Sequence, residues 1–201
     1  MNIGVMGGTF DPIHKGHLIV AEAVKARLSL AEILFVPAGQ PWLKANSPIS
    51  PAEHRIKMVR LAIADKPCFE LSTIEIERPG PSYTVDTIAE LQCQLEAGDD
   101  LFFILGWDSL AELPQWREPC RLIKMCYLVA VPRPGYPAPD LKSLEADIPG
   151  LSQKVTLLDT PEIDISASQI RNRVAQGLSI SHLVPEPVGR YIRRHKLYQS
   201  W

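Results

Sequence analysis

Gly7-Gly8-Thr9-Phe10-Asp11-Pro12-Ile13-His14-Lys15-Gly16-His17 stands between the apolar run Ile3 to Met6 and a segment in which Leu18, Ala21, Val24 and Leu28 recur at helical spacing. A short apolar strand, a glycine turn and an amphipathic helix, in that order, open a βαβ unit. The alternation continues outward. Ile33 to Val36, Glu70 to Ile74, Leu101 to Leu105, Tyr127 to Val131 and Val155 to Leu158 read as further strands, the central ones nearly free of polar residues. Such runs suit a parallel sheet covered on both faces, so the expected fold class is α/β.

With 201 residues, 46% of them hydrophobic, the chain can bury one sizeable core and reads as one domain. A formal net charge of -2 gives no general attraction to polyanions, and nucleic acid is not expected as a partner. No continuous apolar stretch reaches the ~18 residues of a membrane span, and the expected location is the cytoplasm. Cys68, Cys93, Cys120 and Cys126 lack Cys-x-x-Cys spacing and read as small buried hydrophobes in a reducing compartment. Ile56, Val59 and Ile63 mark a second helix, opened by Ser50-Pro51-Ala52-Glu53 with serine as N-cap. Arg55 on that helix reads as a surface or structural arginine. Pro132 to Pro139 reads as an exposed loop, and a last helix over Pro187 to His195 carries a solvated cationic face.

The opening turn is where chemistry concentrates. Ligands of parallel α/β sheets bind beyond the carboxyl ends of the strands, and a helix start with free N–H groups attracts phosphate. Gly7 and Gly8 let the backbone approach a phosphate, while Gly16 lets His14 and His17 face one site from the first helical turn. Two imidazoles beside a phosphate cradle suit stabilisation of transition-state charge. At the other end, Ile165-Ser166-Ala167-Ser168-Gln169-Ile170-Arg171 offers a helix capped by Ser166 or Ser168, with Arg171 a turn later to hold phosphate. Between them, Pro81-Ser82-Tyr83-Thr84-Val85-Asp86-Thr87 leads into a helix, and Gly106-Trp107-Asp108 follows the strand Leu101 to Leu105. A helix start at Thr84 can seat a small carboxylate, and Trp116 can stack on an aromatic ring. Taken alone, Thr84 also reads as a simple cap and Trp116 as a core residue.

The eleven-residue string resembles the His-x-Gly-His nucleotidyltransferases, and Gly7 to Asp11 in this form is similar to the bacterial nicotinate-nucleotide adenylyltransferases in particular. The likeness runs nearly the whole chain. It implies a Rossmann-like, doubly wound nucleotidyltransferase fold in a single domain, 1–201, whose small helical part, 165–201, completes an ATP site. His14, His17, Lys44 and Arg171 are then the catalytic residues, the histidines on the α-phosphate and the two cations on departing pyrophosphate. The ATP site implied is Gly8, Thr9, Phe10, His14, His17, Gly106, Asp108, Ile165, Ser168 and Arg171. For nicotinate mononucleotide the resemblance implies Gly7, Gly8, Lys44, Ser82, Tyr83, Thr84, Trp116 and Arg117. Where the family has Pro-Pro-His-Lys or Pro-Pro-His-Arg, this chain reads Gln40-Pro41-Trp42-Leu43-Lys44, which keeps the cation and loses the histidine.

The implied reaction joins AMP from ATP to nicotinate mononucleotide, giving nicotinate adenine dinucleotide and pyrophosphate in NAD biosynthesis. Mg²⁺ is expected through the ATP phosphates, with no protein metal site. Assembly into a homo-oligomer is left open. Two rivals stand beside this reading: the same fold with another acceptor, such as phosphopantetheine or glycerol phosphate, and a nucleotide-sensing module without catalysis.

Overall fold

The computed structural model describes residues 1–41, 48–96, 98–159 and 161–199. Six strands form one sheet: β1 (Asn2–Gly8), β2 (Glu32–Pro37), β3 (Phe69–Leu71), β4 (Asp100–Gly106), β5 (Tyr127–Val131) and β6 (Val155–Leu157). Their order is β3-β2-β1-β4-β5-β6 and every pairing is parallel. This is the α/β doubly wound arrangement. The chain winds outward from β1 to β3, then returns to lay β4 on the other side of β1. The crevice beyond the carboxyl ends of β1 and β4 is therefore the topological switch point, where such sheets bind ligands.

Helices cover both faces because the strands are apolar on both sides. On one face lie α1 (Lys15–Leu28), α2 (Ala52–Ile63), α8 (Ala167–Ala175) and α9 (Glu186–Arg194), sharing a core that includes Leu18, Met58, Ile170, Val188 and Ile192. On the other lie α4 (Thr84–Gln92), α6 (Pro119–Met125) and α7 (Leu141–Asp147), with Val85, Ile88, Leu122 and Leu144 inside. The cations Arg190, Arg193 and Arg194 are exposed on α9, as its sequence suggested.

Three local expectations are corrected. The third strand stops at Leu71, because Ser72 makes the last bond to the neighbouring strand, at Phe35 O, and the Thr73 carbonyl then accepts the N–H groups of Ile76 and Glu77. Ile74 thus opens the short α3 (Ile74–Glu77) and buries itself from a helix. Ser50 does not cap α2, which starts after Pro51 without a side-chain cap. Of the cysteines only Cys126 is buried, its thiol pushed up to about 12 by burial. Cys93 and Cys120 are exposed, because Leu91 and Leu122 take the inward positions on their helices. Among the described residues no helix is long and apolar enough to cross a membrane.

Candidate active site

β1 delivers the chain to the switch point, and residues 9–13 carry it across to α1. His14 takes the N-cap position in extended conformation, and His17 is the third residue of the helix. The His14 backbone N–H, one of the donors a helix start leaves over, points to Nδ1 of His17 at 3.2 Å. An accepting Nδ1 carries no proton, so a neutral His17 holds its proton on Nε2. The two rings stack at 3.6 Å between centroids, and the Phe10 ring meets His17 edge-on at 5.1 Å. Gly16 makes this possible: a Cβ there would lie 3.0 Å from His14 Nδ1. Burial, with the nearby positive charge of Arg133, lowers the His14 pKa to about 4. His14 is a neutral imidazole at pH 7.

Asp11 turns this loop into a junction. It is 3% exposed; Oδ2 accepts the Ser50 N–H at 2.9 Å and Oδ1 accepts the Tyr198 hydroxyl at 2.6 Å. Its backbone carbonyl accepts Nη1 of Arg171 at 2.7 Å, while Nη2 of Arg171 reaches Ser168 Oγ at 3.2 Å. Ser166, not Ser168, caps α8, accepting the Gln169 N–H. Arg55 is fully buried and structural, donating to the carbonyls of Ser50, Thr9 and Ala38. Burial lowers its pKa, and the Asp11 carboxylate offsets part of that shift. Neither Asp11 nor Tyr198 stood out as a site residue in the sequence. The signal was hidden because Asp11 lies inside a turn that glycine and histidine already explained.

The other half of the crevice gathers around α4. Thr84 is its first residue and Tyr83 holds the cap position, so Thr84 is not the cap. Ser82 Oγ accepts the N–H groups of Gly39 and Gln40 at 3.0 and 3.1 Å. The Arg117 guanidinium lies 4.6 Å over the Tyr83 ring and 3.9 Å from Asp86. Beside it, Trp116 meets Phe103 edge-on at 6.1 Å, and its buried Nε1 has no hydrogen-bond partner among the described residues. The Phe103 ring in turn fills the space beside Gly7. After β4, Gly106 precedes α5 (Trp107–Ala111), and Asp108 Oδ2 pairs with Arg133 Nη1 at 2.9 Å. Asp108 Oδ1 is buried without a hydrogen-bond partner among the described residues.

Arg133 is a third residue that sequence reading missed, since Pro132 to Pro139 registered only as a loop. The fold brings His14, His17, Phe10, Asp108, Ser168 and Arg171 to one edge, and Ser82, Tyr83, Thr84, Trp116 and Arg117 to a second cluster. Half-buried Ile165 packs against the core beneath α8, and Ile163 two residues earlier abuts Gly16. Lys44, with Trp42 and Leu43, lies outside the described residues. A groove of about 830 Å³ between α2 and α9, lined by Lys57, Tyr191, Arg194 and His195 among others, contains none of the site residues. No group of three or more His, Cys, Asp or Glu side chains suited to a metal ion occurs among the described residues.

A six-stranded parallel sheet with paired imidazoles and an arginine at its switch point defines the nucleotidyltransferase class, and the family model described as Cytidylyltransferase-like matches residues 5–173. A relative from Dehalococcoides mccartyi strain CBDB1, named "Probable nicotinate-nucleotide adenylyltransferase", is 51% identical over 198 residues, 98% of this chain and 97% of its own. A relative of the same name from Roseiflexus sp. strain RS-1 is 48% identical over 197 residues, 98% of each chain. The chain belongs to the nicotinate-nucleotide adenylyltransferase family. A solved structure described as Plasmodium falciparum nicotinic acid mononucleotide adenylyltransferase complexed with NaAD shares the fold, with a TM-score of 0.80 at 22% identity over 98% of this chain and 97% of that one.

Proposed function

We propose that this chain transfers the AMP part of ATP to nicotinate mononucleotide, forming nicotinate adenine dinucleotide and releasing pyrophosphate, a cytoplasmic step of NAD biosynthesis. The observation that carries the reading is the stacked pair His14 and His17 at the start of α1, with Arg171 tied into the same turn through the Asp11 carbonyl. Residues 1–201 act as one domain, and the part from 165 onward completes the ATP side through Ile165, Ser168 and Arg171.

In the reaction an oxygen of the acceptor's 5′-phosphate attacks the α-phosphorus of ATP. The bond from that phosphorus to the bridging oxygen breaks, and pyrophosphate leaves with the electron pair. A phosphate monoester has a second pKa of about 6, so the attacking group is largely dianionic at neutral pH and needs no general base. The protein's task is positioning and charge stabilisation. His17 Nε2–H donates to the α-phosphate as its charge develops, held in that tautomer by the His14 N–H. His14, kept neutral, lines the same oxygen without bringing an unpaired buried cation. Arg171 and Lys44 meet the departing pyrophosphate, with Gly8, Thr9 and Phe10 shaping the phosphate turn.

Mg²⁺ brought by ATP would fit beside Asp108, whose Oδ1 is a buried carboxylate oxygen with no hydrogen-bond partner among the described residues, and would neutralise phosphate charge. Thr84 receives the nicotinate carboxylate at the start of α4 and Trp116 stacks on the pyridine ring, flanked by Tyr83 and Arg117. Pyrophosphate release measured with ATP and a panel of acceptors tests the reading. Nicotinate mononucleotide is expected to give the highest kcat/KM. A higher value with phosphopantetheine or glycerol phosphate reassigns the acceptor, and no release with any acceptor removes catalysis.

A further inference from the structure

We infer that Glu75 is a positioning residue for the acceptor nucleotide: its buried carboxylate locks the turn after β2 to the start of α4. Glu75 belongs to α3 and is 9% exposed. Its Oε1 accepts the Thr87 hydroxyl at 2.7 Å, and the carboxylate faces the Ser82 side chain and the Gly39 N–H, both of which favour its ionised form. Ser82 closes the clamp from the other side: its Oγ accepts from Gly39 and Gln40, its N–H donates to Gln40 O at 2.9 Å, and it bridges Pro41. Gly39 is required by closeness, because a Cβ there would lie 2.1 Å from the Glu75 carbonyl oxygen. Arg78 donates to the Thr87 hydroxyl at 3.1 Å and to Glu90, completing the network.

Two separate segments, the turn after β2 and the start of α4, thus meet at one carboxylate. Stability alone would favour an apolar side chain here, since neutral donors only partly offset the cost of burying a carboxylate. What a carboxylate adds is geometry: it can hold the Thr87 hydroxyl while facing Ser82, whose Oγ takes the Gly39 and Gln40 N–H groups. Thr84 sits between Ser82 and Thr87, so the helix start offered to the nicotinate carboxylate is held from both sides. Burial raises the Glu75 pKa, against the pull of Thr87, Ser82, Arg78 and Gly39.

The inference rests on the acceptor reading above, and the test separates the two. Glu75→Gln keeps the size but turns an NH₂ toward donors. Its KM for nicotinate mononucleotide is expected to rise about tenfold, with kcat and the KM for ATP within about twofold, the cost of one or two lost bonds to a charged group. Hydrogen exchange at the Gly39 and Gln40 amides is expected to quicken by about tenfold, a reading independent of activity. Thr87→Val should move acceptor KM the same way and Thr87→Ser restore it; this pair carries the test if Glu75→Gln does not fold. An equal rise in both KM values, or unchanged exchange at Gly39 and Gln40, overturns the role. If the unmodified protein rejects nicotinate mononucleotide, the acceptor reading falls, and the same KM comparison is made with the mononucleotide it does use.

Discussion

Two buried carboxylates organise the two halves of this crevice, and they do so in opposite electrostatic settings. Asp11 sits where Arg55 and Arg171 converge on the same turn, and its oxygens take one backbone N–H and one phenol. Glu75 takes the Thr87 hydroxyl and faces the Ser82 hydroxyl and the Gly39 N–H, with its arginine one contact removed. The half proposed to face triphosphate is anchored amid cations, as suits a site whose ligand arrives with several negative charges. The half proposed to face the pyridine ring is anchored by neutral donors, which leaves it more easily disturbed by protonation or by loss of one bond.

The comparison can be broken most sharply at the histidines. His17→Ala should lower turnover by roughly 10²–10³-fold, the usual cost of one preorganised donor to developing charge, while far-ultraviolet circular dichroism stays native. A folded variant with near-normal turnover would remove His17 from the mechanism.

The next largest effect is on stability against pH. The folded His14 pKa is lowered from 6.5 to about 4, so the unfolded chain binds the proton more readily. Its contribution is fully present above pH 6.5 and is lost as pH falls from 6.5 to about 4. The total is about 3 kcal/mol. Urea unfolding across that range should slope accordingly, and His14→Gln should flatten the slope.

Tyr198→Phe deletes one donor to Asp11 and leaves a buried acceptor short, an expected loss of about 1–3 kcal/mol in urea unfolding. Thr87→Val does the same to Glu75 but should cost less, since Ser82 and Gly39 still face that carboxylate. Equal losses would erase the distinction between the two anchors.

The smallest effect is selectivity. Nicotinate mononucleotide should be preferred over nicotinamide mononucleotide by at least about tenfold in kcat/KM, ~1.4 kcal/mol, because free N–H groups at a helix start pair with an anion and not with an NH₂. Trp116→Ala should weaken both acceptors alike, and Thr84→Pro the acid selectively. Equal kcat/KM values in the unmodified protein would sink the acid-recognition scheme.

Much of the sheet was legible because parallel strands buried on both faces read as unbroken apolar runs, and the turn after β1 because glycines and histidines at close spacing leave few alternatives. The third strand was overextended because Ile74 is β-branched and apolar, and nothing local tells a strand end from the first turn of a buried helix. Ser50 was misread for a related reason. Its sequence neighbours spell a helix cap, but the cap position falls on Pro51, and the Ser50 backbone N–H goes to Asp11, a partner only folding brings near. The clusters around Asp11 and Glu75 stayed invisible as clusters, since their members are scattered and each has an ordinary local reading. Thr87 stands at the entry to a helix, and Arg55 reads as a surface or structural arginine.

The bond from Tyr198 to Asp11 spans 187 positions of chain. During synthesis the turn after β1 is made long before this partner. Until that tyrosine emerges, Asp11 has one side-chain anchor missing. A nascent chain can therefore lay down β1 and α1 early, yet the turn between them gains its full set of bonds only once Tyr198 has been made.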